Sequence, residues 1–298
     1  MANYYISPTG NDSTGDGTSG NPRATITGAV ADSNEGDTII CMDGTYTHAD
    51  NFRVDVGARN VKAENNELAI FDNENVLIFQ NGVSDHIWKF GDGSTIIGIK
   101  FYRIPIKKYS YGGSAIVAPN ANNVTLNVTN CIFEECGAGG ISNVAGGVIS
   151  TIGKQGCTLN IDSNLFLWIN SASDANFVFN NISGGVLNTA NFTNNTFYFK
   201  AKPAEYGDFS IMAGDDRATH AEFTWTNNIF HNETTSIAWY YSAFSAYHTY
   251  NYNCAYGNFT NLVAGTGNIT SDPLFVDSAN DNFNLRPSSP CFDTATLI

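Results

Sequence analysis

The chain of 298 residues sets 28 Asp and Glu against 14 Lys and Arg, a net charge of −14, yet only 14% of its residues are charged and 13% are aromatic. That balance excludes intrinsic disorder, which goes with few rings and many charges, and it excludes nucleic acid as a partner, because phosphate binding needs a basic face. No apolar run reaches the ~18 residues of a membrane span, and Met1 to Ile6 carry no basic stretch followed by an apolar one, so neither a membrane segment nor a Sec-type signal peptide is expected.

Near the start, Gly15-Asp-Gly-Thr-Ser-Gly20 has the spacing of a dinucleotide-binding loop. Polar residues separate it from the preceding apolar segment, and Asp12 and Asp16 would repel a pyrophosphate, so a structural loop is expected. Further on the chain repeats itself. Val128-Thr-Asn-Cys131-Ile-Phe133, Ile161-Asp-Ser-Asn164-Leu-Phe166, Phe192-Thr-Asn-Asn195-Thr-Phe197 and Trp225-Thr-Asn-Asn228-Ile-Phe230 share one pattern, and Ile97-Gly-Ile-Lys-Phe101 is an earlier relative. The terminal Phe residues lie 32, 33, 31 and 33 positions apart. The repeated segments are rich in Thr, Asn, Val, Ile and Phe and alternate with period two, which predicts short strands rather than helical repeats. Coils of such strands stack ~4.8 Å apart, placing Phe101, Phe133, Phe166, Phe197 and Phe230 in an interior ladder and Asn164, Asn195 and Asn228 in a turn column suited to the left-handed backbone. Amides tolerate that repetition where like charges would repel, which accounts for part of the 38 Asn. The cysteines at 41, 131, 136, 157, 254 and 291 show no metal or disulfide spacing and read as buried free thiols.

Both ends carry a family resemblance. Tyr4-Tyr-Ile-Ser-Pro-Thr-Gly-Asn-Asp12, Asn21-Pro-Arg-Ala-Thr-Ile-Thr-Gly-Ala-Val30, Gly36-Asp-Thr-Ile-Ile40 and Gly44-Thr-Tyr46 resemble the opening of right-handed parallel β-helix proteins of the pectate-lyase-like superfamily; Asp272-Pro-Leu-Phe-Val-Asp277 and Asn282-Phe-Asn-Leu-Arg-Pro-Ser-Ser-Pro-Cys-Phe-Asp293 resemble its last coil. The resemblance implies one all-β domain: an N-terminal strand and short capping helix over 1–36, coils over 37–270 and a C-terminal coil over 271–298. It leaves function open, because that superfamily holds polysaccharide lyases, glycoside hydrolases, phage tail spikes and non-catalytic surface proteins.

Candidate chemistry comes from carboxylates, since a coil stack lays equal offsets on adjacent rungs. Asp174 follows Phe166 by eight residues and Glu205 follows Phe197 by eight, which places them one rung apart, near the ~5 Å of a retaining glycosidase pair, with Asp208 close by. Asp215-Asp216-Arg217 with His220 forms the densest ionisable group, able to supply a general acid and a substrate-orienting Arg. For both sets the alternative reading is solvated loop acids. Glu135 and Glu233 fall three rungs apart and cannot pair with each other, and the five histidines show neither i, i+4 spacing nor a companion carboxylate motif. Lys154 faintly resembles a lyase base, but the acidic Ca²⁺ ligands such lyases carry beside it are Gly and Val here. The residues themselves require no cofactor; Ca²⁺ enters as an alternative ligand for the Asp174 and Glu205 pair and through that resemblance. Lys100, Arg103, Lys107 and Lys108 form the basic cluster, read as an anion-docking patch or a solvated loop. Trp239, Tyr240 and Tyr241 open an aromatic segment that suits stacking on sugars or packing.

Two functions follow. One is a virion-associated or cell-surface protein, akin to a phage tail spike or decoration component, that binds a cell-surface glycan, assembles with other virion proteins and forms the homotrimer that tail spikes imply. The other is a polysaccharide lyase or glycoside hydrolase of the pectate-lyase-like group, acting through Asp174, Glu205, Asp215 and Asp216.

Overall fold

The aromatic period closes the chain into a parallel β-helix. The computed structural model describes all residues except 75–86, 110–111, 114, 140–146, 152–153, 169–176, 182–187, 201–208, 215–220, 239–247, 261–264 and 293–298. Among the described residues one face is a nine-stranded sheet running from Asn3–Ile6 and Thr38–Cys41 through Asn60–Ala63, Ser94–Ile97, Thr125–Thr129, Thr158–Asp162, Asn188–Thr193 and Ala221–Thr226 to His248–Asn251. A second face stacks Gly44–Tyr46, Ala69–Asp72, Ile99–Tyr102, Ile132–Glu134, Leu165–Trp168 and Thr196–Phe199 onto the long strand Ile229–Ala238, which Cys254–Thr260 extends. The third, from Val54–Gly57 and Trp88–Phe90 to Phe209–Gly214, joins the second through that same long strand. Coils at the ends are shorter than the central period: Thr38 pairs with Asn60, 22 residues on, and Phe223 with His248, 25 residues on.

Inside, the Phe ladder forms as the spacing predicts. Ring centroids are 5.1 Å apart for Phe101 and Phe133, 5.0 Å for Phe133 and Phe166, 4.7 Å for Phe166 and Phe197 and 4.8 Å for Phe197 and Phe230, all within 11° of parallel. Each stacked pair adds ~0.5–1.5 kcal/mol beyond burial of its area.

At the corner between the first and second faces runs the asparagine ladder. The Asn164 Oδ1 accepts from the Cys131 N–H at 2.9 Å, Asn195 Oδ1 from Asn164 N–H at 2.9 Å, Asn228 Oδ1 from Asn195 N–H at 3.0 Å, and Asn253 and Asn268 carry the series onward. Each amide nitrogen also donates inward, as Asn195 Nδ2 does to Ile161 O at 2.8 Å. The left-handed backbone expected at these asparagines sits one residue earlier, at Gly98, Asn130, Ser163, Asn194, Asn227 and Tyr252. The preceding residue turns the chain, which leaves the ladder asparagine free to reach both neighbouring rungs. A second, half-buried amide row joins Asn127, Asn160 and Asn191 on the first face.

The glycine-rich loop is structural. Asp12 accepts from the N–H groups of Ala24 and Thr25 and from the Thr25 hydroxyl, fixing the entry to the helix Ile26–Asp32, which buries Ile26 and Ala29 against the first rungs. All six cysteines are buried thiols, none of them in a disulfide. Beyond Ile269 the chain leaves the parallel path: Phe275–Asp277 and Asn282–Leu285 form an antiparallel hairpin where the sequence suggested a last coil. Its Phe275, Phe283 and Leu285 pack on Leu167, Tyr198, Ile132, Leu165 and Ile229, on the outside of the second face.

Asn195 is fully buried, and replacing it with Ala orphans the Asn164 N–H and removes the side-chain donor to the Ile161 carbonyl. Asn195→Ala is expected to cost about 3 kcal/mol in urea unfolding, and Asn191→Ala, in the half-buried row, under about 1 kcal/mol.

Candidate functional site

Residues one position after each ladder Phe point outward, because side chains alternate along a strand. Strand register aligns them as a single column: Asp72, Tyr102, Glu134, Leu167, Tyr198, His231 and Tyr256. The column divides in two. In its first half, Lys100 reaches Glu134 at 2.6 Å, Arg103 pairs with Asp72, and both cations lie over the Tyr102 ring. Lys100 and Arg103 of the basic cluster are thus engaged with carboxylates of their own column, while the side chains of Lys107 and Lys108 lie outside the described residues.

In its second half the column meets the C-terminal hairpin. A cleft of about 710 Å³ opens there, lined by His231, Glu233 and Tyr256 from the solenoid and by Asp272, Phe275, Ser278 and Arg286 from the chain that crosses it. His231 stacks on Phe275 at 5.7 Å and meets the edges of Tyr198 and Tyr256, each at 5.1 Å. Tyr198 donates its hydroxyl to Glu233 Oε1 at 2.8 Å, and His231 Nε2 lies 3.7 Å from the same oxygen. Glu233 follows His231 by two residues on the same strand face, just where the register with Cys254–Thr260 shifts between Asn232 and Ile237. Such irregularities re-aim side chains beside active sites.

Burial separates the roles. The Glu233 side chain is 40% exposed, whereas that of His231 is 10% exposed and its Nδ1 has no hydrogen-bond partner among the described residues. Burial holds the His231 imidazole below the ordinary value, partly offset by the charges of Glu233 and Asp272. Burial also pushes the Tyr198 phenol up to about 12; a hydrogen bond from Ser278 acts against this and the one to Glu233 adds to it. A protonated phenol therefore holds one water-accessible carboxylate, with a neutral imidazole packed beside it. Asp272 caps its own turn by accepting from Leu274 N–H at 2.9 Å, and Arg286 braces the hairpin through Val276 O at 3.1 Å while lining the cleft.

Of the sequence-derived candidates, Asp174, Glu205, Asp208, Asp215, Asp216, Arg217, His220, Trp239, Tyr240 and Tyr241 lie outside the described residues. Lys154 is half-buried in the turn before Cys157, its carbonyl accepting from Asn188 Nδ2, and it does not line the cleft. Sequence reasoning passed over His231 and Glu233 by seeking helical spacing for histidine, whereas on a strand the same-face companion is two residues away. The offset from the ladder Phe was the available signal. Among the described residues no three His, Cys, Asp or Glu side chains converge as a Ca²⁺ site would require.

Because the folded state refuses a proton at His231 that the unfolded chain accepts near pH 6.5, this residue's contribution to stability is present above that pH and is lost as pH falls. Urea midpoints taken between about pH 7.5 and 5 should show the wild-type advantage over His231→Phe shrinking on acidification. An advantage that grows would contradict the buried neutral imidazole.

No protein-family model matches the sequence, and no curated protein matches it. Among solved structures, a rhamnogalacturonan lyase superposes with TM-score 0.53 at 14% identity, covering 88% of this chain and 75% of its own. Pectate lyase Pel9A gives 0.48 at 15% identity over 97% and 90%, and XylC in complex with xylose gives 0.35 at 12% over 88% and 70%. Identities this low speak to fold alone, and the rhamnogalacturonan lyase superposition agrees with the sheet topology: the chain is a parallel β-helix of the pectate-lyase-like fold.

Proposed function

We propose that this protein is a polysaccharide lyase acting on a uronate-containing glycan in the cleft beneath the C-terminal hairpin. The observation that carries the reading is the exposed Glu233 carboxylate, held by the buried Tyr198 hydroxyl beside His231, in a cleft that Arg286 also lines. Arg286 neutralises the uronate carboxylate and so acidifies the adjacent C5–H. Glu233 takes that proton, the C4–O bond breaks as the C4=C5 double bond forms, and Tyr256 supplies a proton to the leaving oxygen. Tyr198 is the positioning residue that fixes the Glu233 carboxylate, and His231 packs against the Tyr198 ring. The rhamnogalacturonan lyase with the same fold supports a glycan as the partner.

A second reading, a virion-associated or extracellular surface protein that binds glycan without cleaving it, draws on one specific observation. A net charge of −14 opposes long-range attraction of an acidic polymer.

Incubation with homogalacturonan, rhamnogalacturonan, alginate and neutral polysaccharides, with and without Ca²⁺, followed by unsaturated-product absorbance and reducing ends, separates the two. Elimination is expected on at least one uronate polymer, with Glu233→Gln lowering kcat by at least about 10²-fold and Tyr198→Phe by about tenfold. Turnover that survives Glu233→Gln but is lost in Glu205→Gln or Asp215→Asn would move the chemistry to another site. No turnover on any glycan, with the chain recovered in purified particles, would establish the surface reading.

A further inference from the structure

The hairpin has a second edge, and a second cavity lies along it. This cavity measures about 390 Å³, toward the lower end of the ~300–1,000 Å³ usual for small-molecule sites, and among the described residues no charged side chain lines it. Asn194 and Asn227 come from the turn column of the solenoid, Tyr252 from the last turn, and Phe283, Asn284 and Phe292 from the hairpin and the chain beyond it. We infer that this cavity is a binding site for an uncharged sugar unit, distinct from the cleft at Glu233.

Three features of the lining point to that ligand. Amides supply a donor and an acceptor side by side, the pairing that vicinal hydroxyls match, and rings offer a face to the C–H side of a pyranose. The Tyr252 ring is held in place: its residue adopts φ 57°, its N–H is bound by Thr266 O at 2.8 Å, and its ring lies over Gly267, where a Cβ would come within 2.4 Å of Cδ1. Phe292 is 54% exposed, an apolar ring left facing water at the cavity rim. A uronate is disfavoured here, because an ionised carboxylate would lose water without meeting a cation. The two cavities thus divide by charge along one hairpin: His231, Glu233, Asp272 and Arg286 on one edge, amides and rings on the other.

This inference does not depend on cleavage at Glu233 and is tested by binding. Calorimetry and saturation-transfer NMR on the full chain, with cellotetraose, xylotetraose, mannotetraose and galactotetraose against tetragalacturonate, give the readout. At least one neutral tetrasaccharide is expected to bind. Its affinity should fall about tenfold in Phe292→Ala and in Asn284→Ala, both exposed positions whose replacement leaves the core intact, and should hold within about twofold in Glu233→Gln, with tetragalacturonate failing to displace it. Absence of binding by all four neutral sugars overturns the inference. Binding that Glu233→Gln abolishes while Phe292→Ala and Asn284→Ala leave it unchanged also overturns it, placing the sugar in the other cleft.

Discussion

The hydrogen bond from the backbone N–H of one coil to the side-chain amide of the next is the constraint on which the molecule depends. Each of Asn164, Asn195, Asn228 and Asn253 accepts from the coil before it and donates to a carbonyl at the corner, and all four are at least 95% buried. A parallel stack could slip by one residue and turn every side chain to the opposite face. The amide ladder opposes that slip, because a shifted coil leaves buried N–H groups without acceptors at a cost of ~1–3 kcal/mol each. With register fixed at the corner, the Phe two positions later must stack inward, and the residue after it must point out.

That outward column is where the fold passes into chemistry. In most of a solenoid such a column faces water; in its first half here Lys100, Glu134, Arg103 and Asp72 pair across adjacent coils, with Asp72 itself buried. In its second half the C-terminal hairpin covers it, so that Tyr198 and His231 become buried polar groups on what is formally the outside of the helix. The hairpin does with Phe275 and Phe283 what the interior does with the Phe ladder. It cannot cover Glu233, which stands where the long strand breaks register with its neighbour, and a carboxylate at the mouth of an aromatic pocket results.

The sequence was informative wherever one residue type recurs. Phe101 to Phe230 and Asn164 to Asn228 could be read directly, because a solenoid repeats the same environment and selects the same side chain each time. The turn geometry was displaced by one residue, since repetition locates the corner but does not say which residue in Asn194-Asn195 bends the chain and which one bonds. The candidate site was not legible, because function breaks the repeat: Tyr102, Glu134, Leu167, Tyr198, His231 and Tyr256 share a position and little chemistry. Half of the cleft wall comes from the hairpin, whose Asp272 and Arg286 are distant in the chain and carry no periodic mark. Acids chosen by an offset of eight from Phe, Asp174 and Glu205, relied on register persisting beyond the strands, and they lie outside the described residues.

The central claim is that ligand binds where the outward column meets the hairpin. Hydrogen–deuterium exchange of the intact chain, with and without a saturating uronate oligosaccharide, tests it directly. The account predicts slowed exchange at 229–233, 254–258 and 272–286 together, since these segments contribute the cleft. Protection confined to 201–220, around Glu205, Asp215 and Asp216, with the hairpin unchanged, would contradict it.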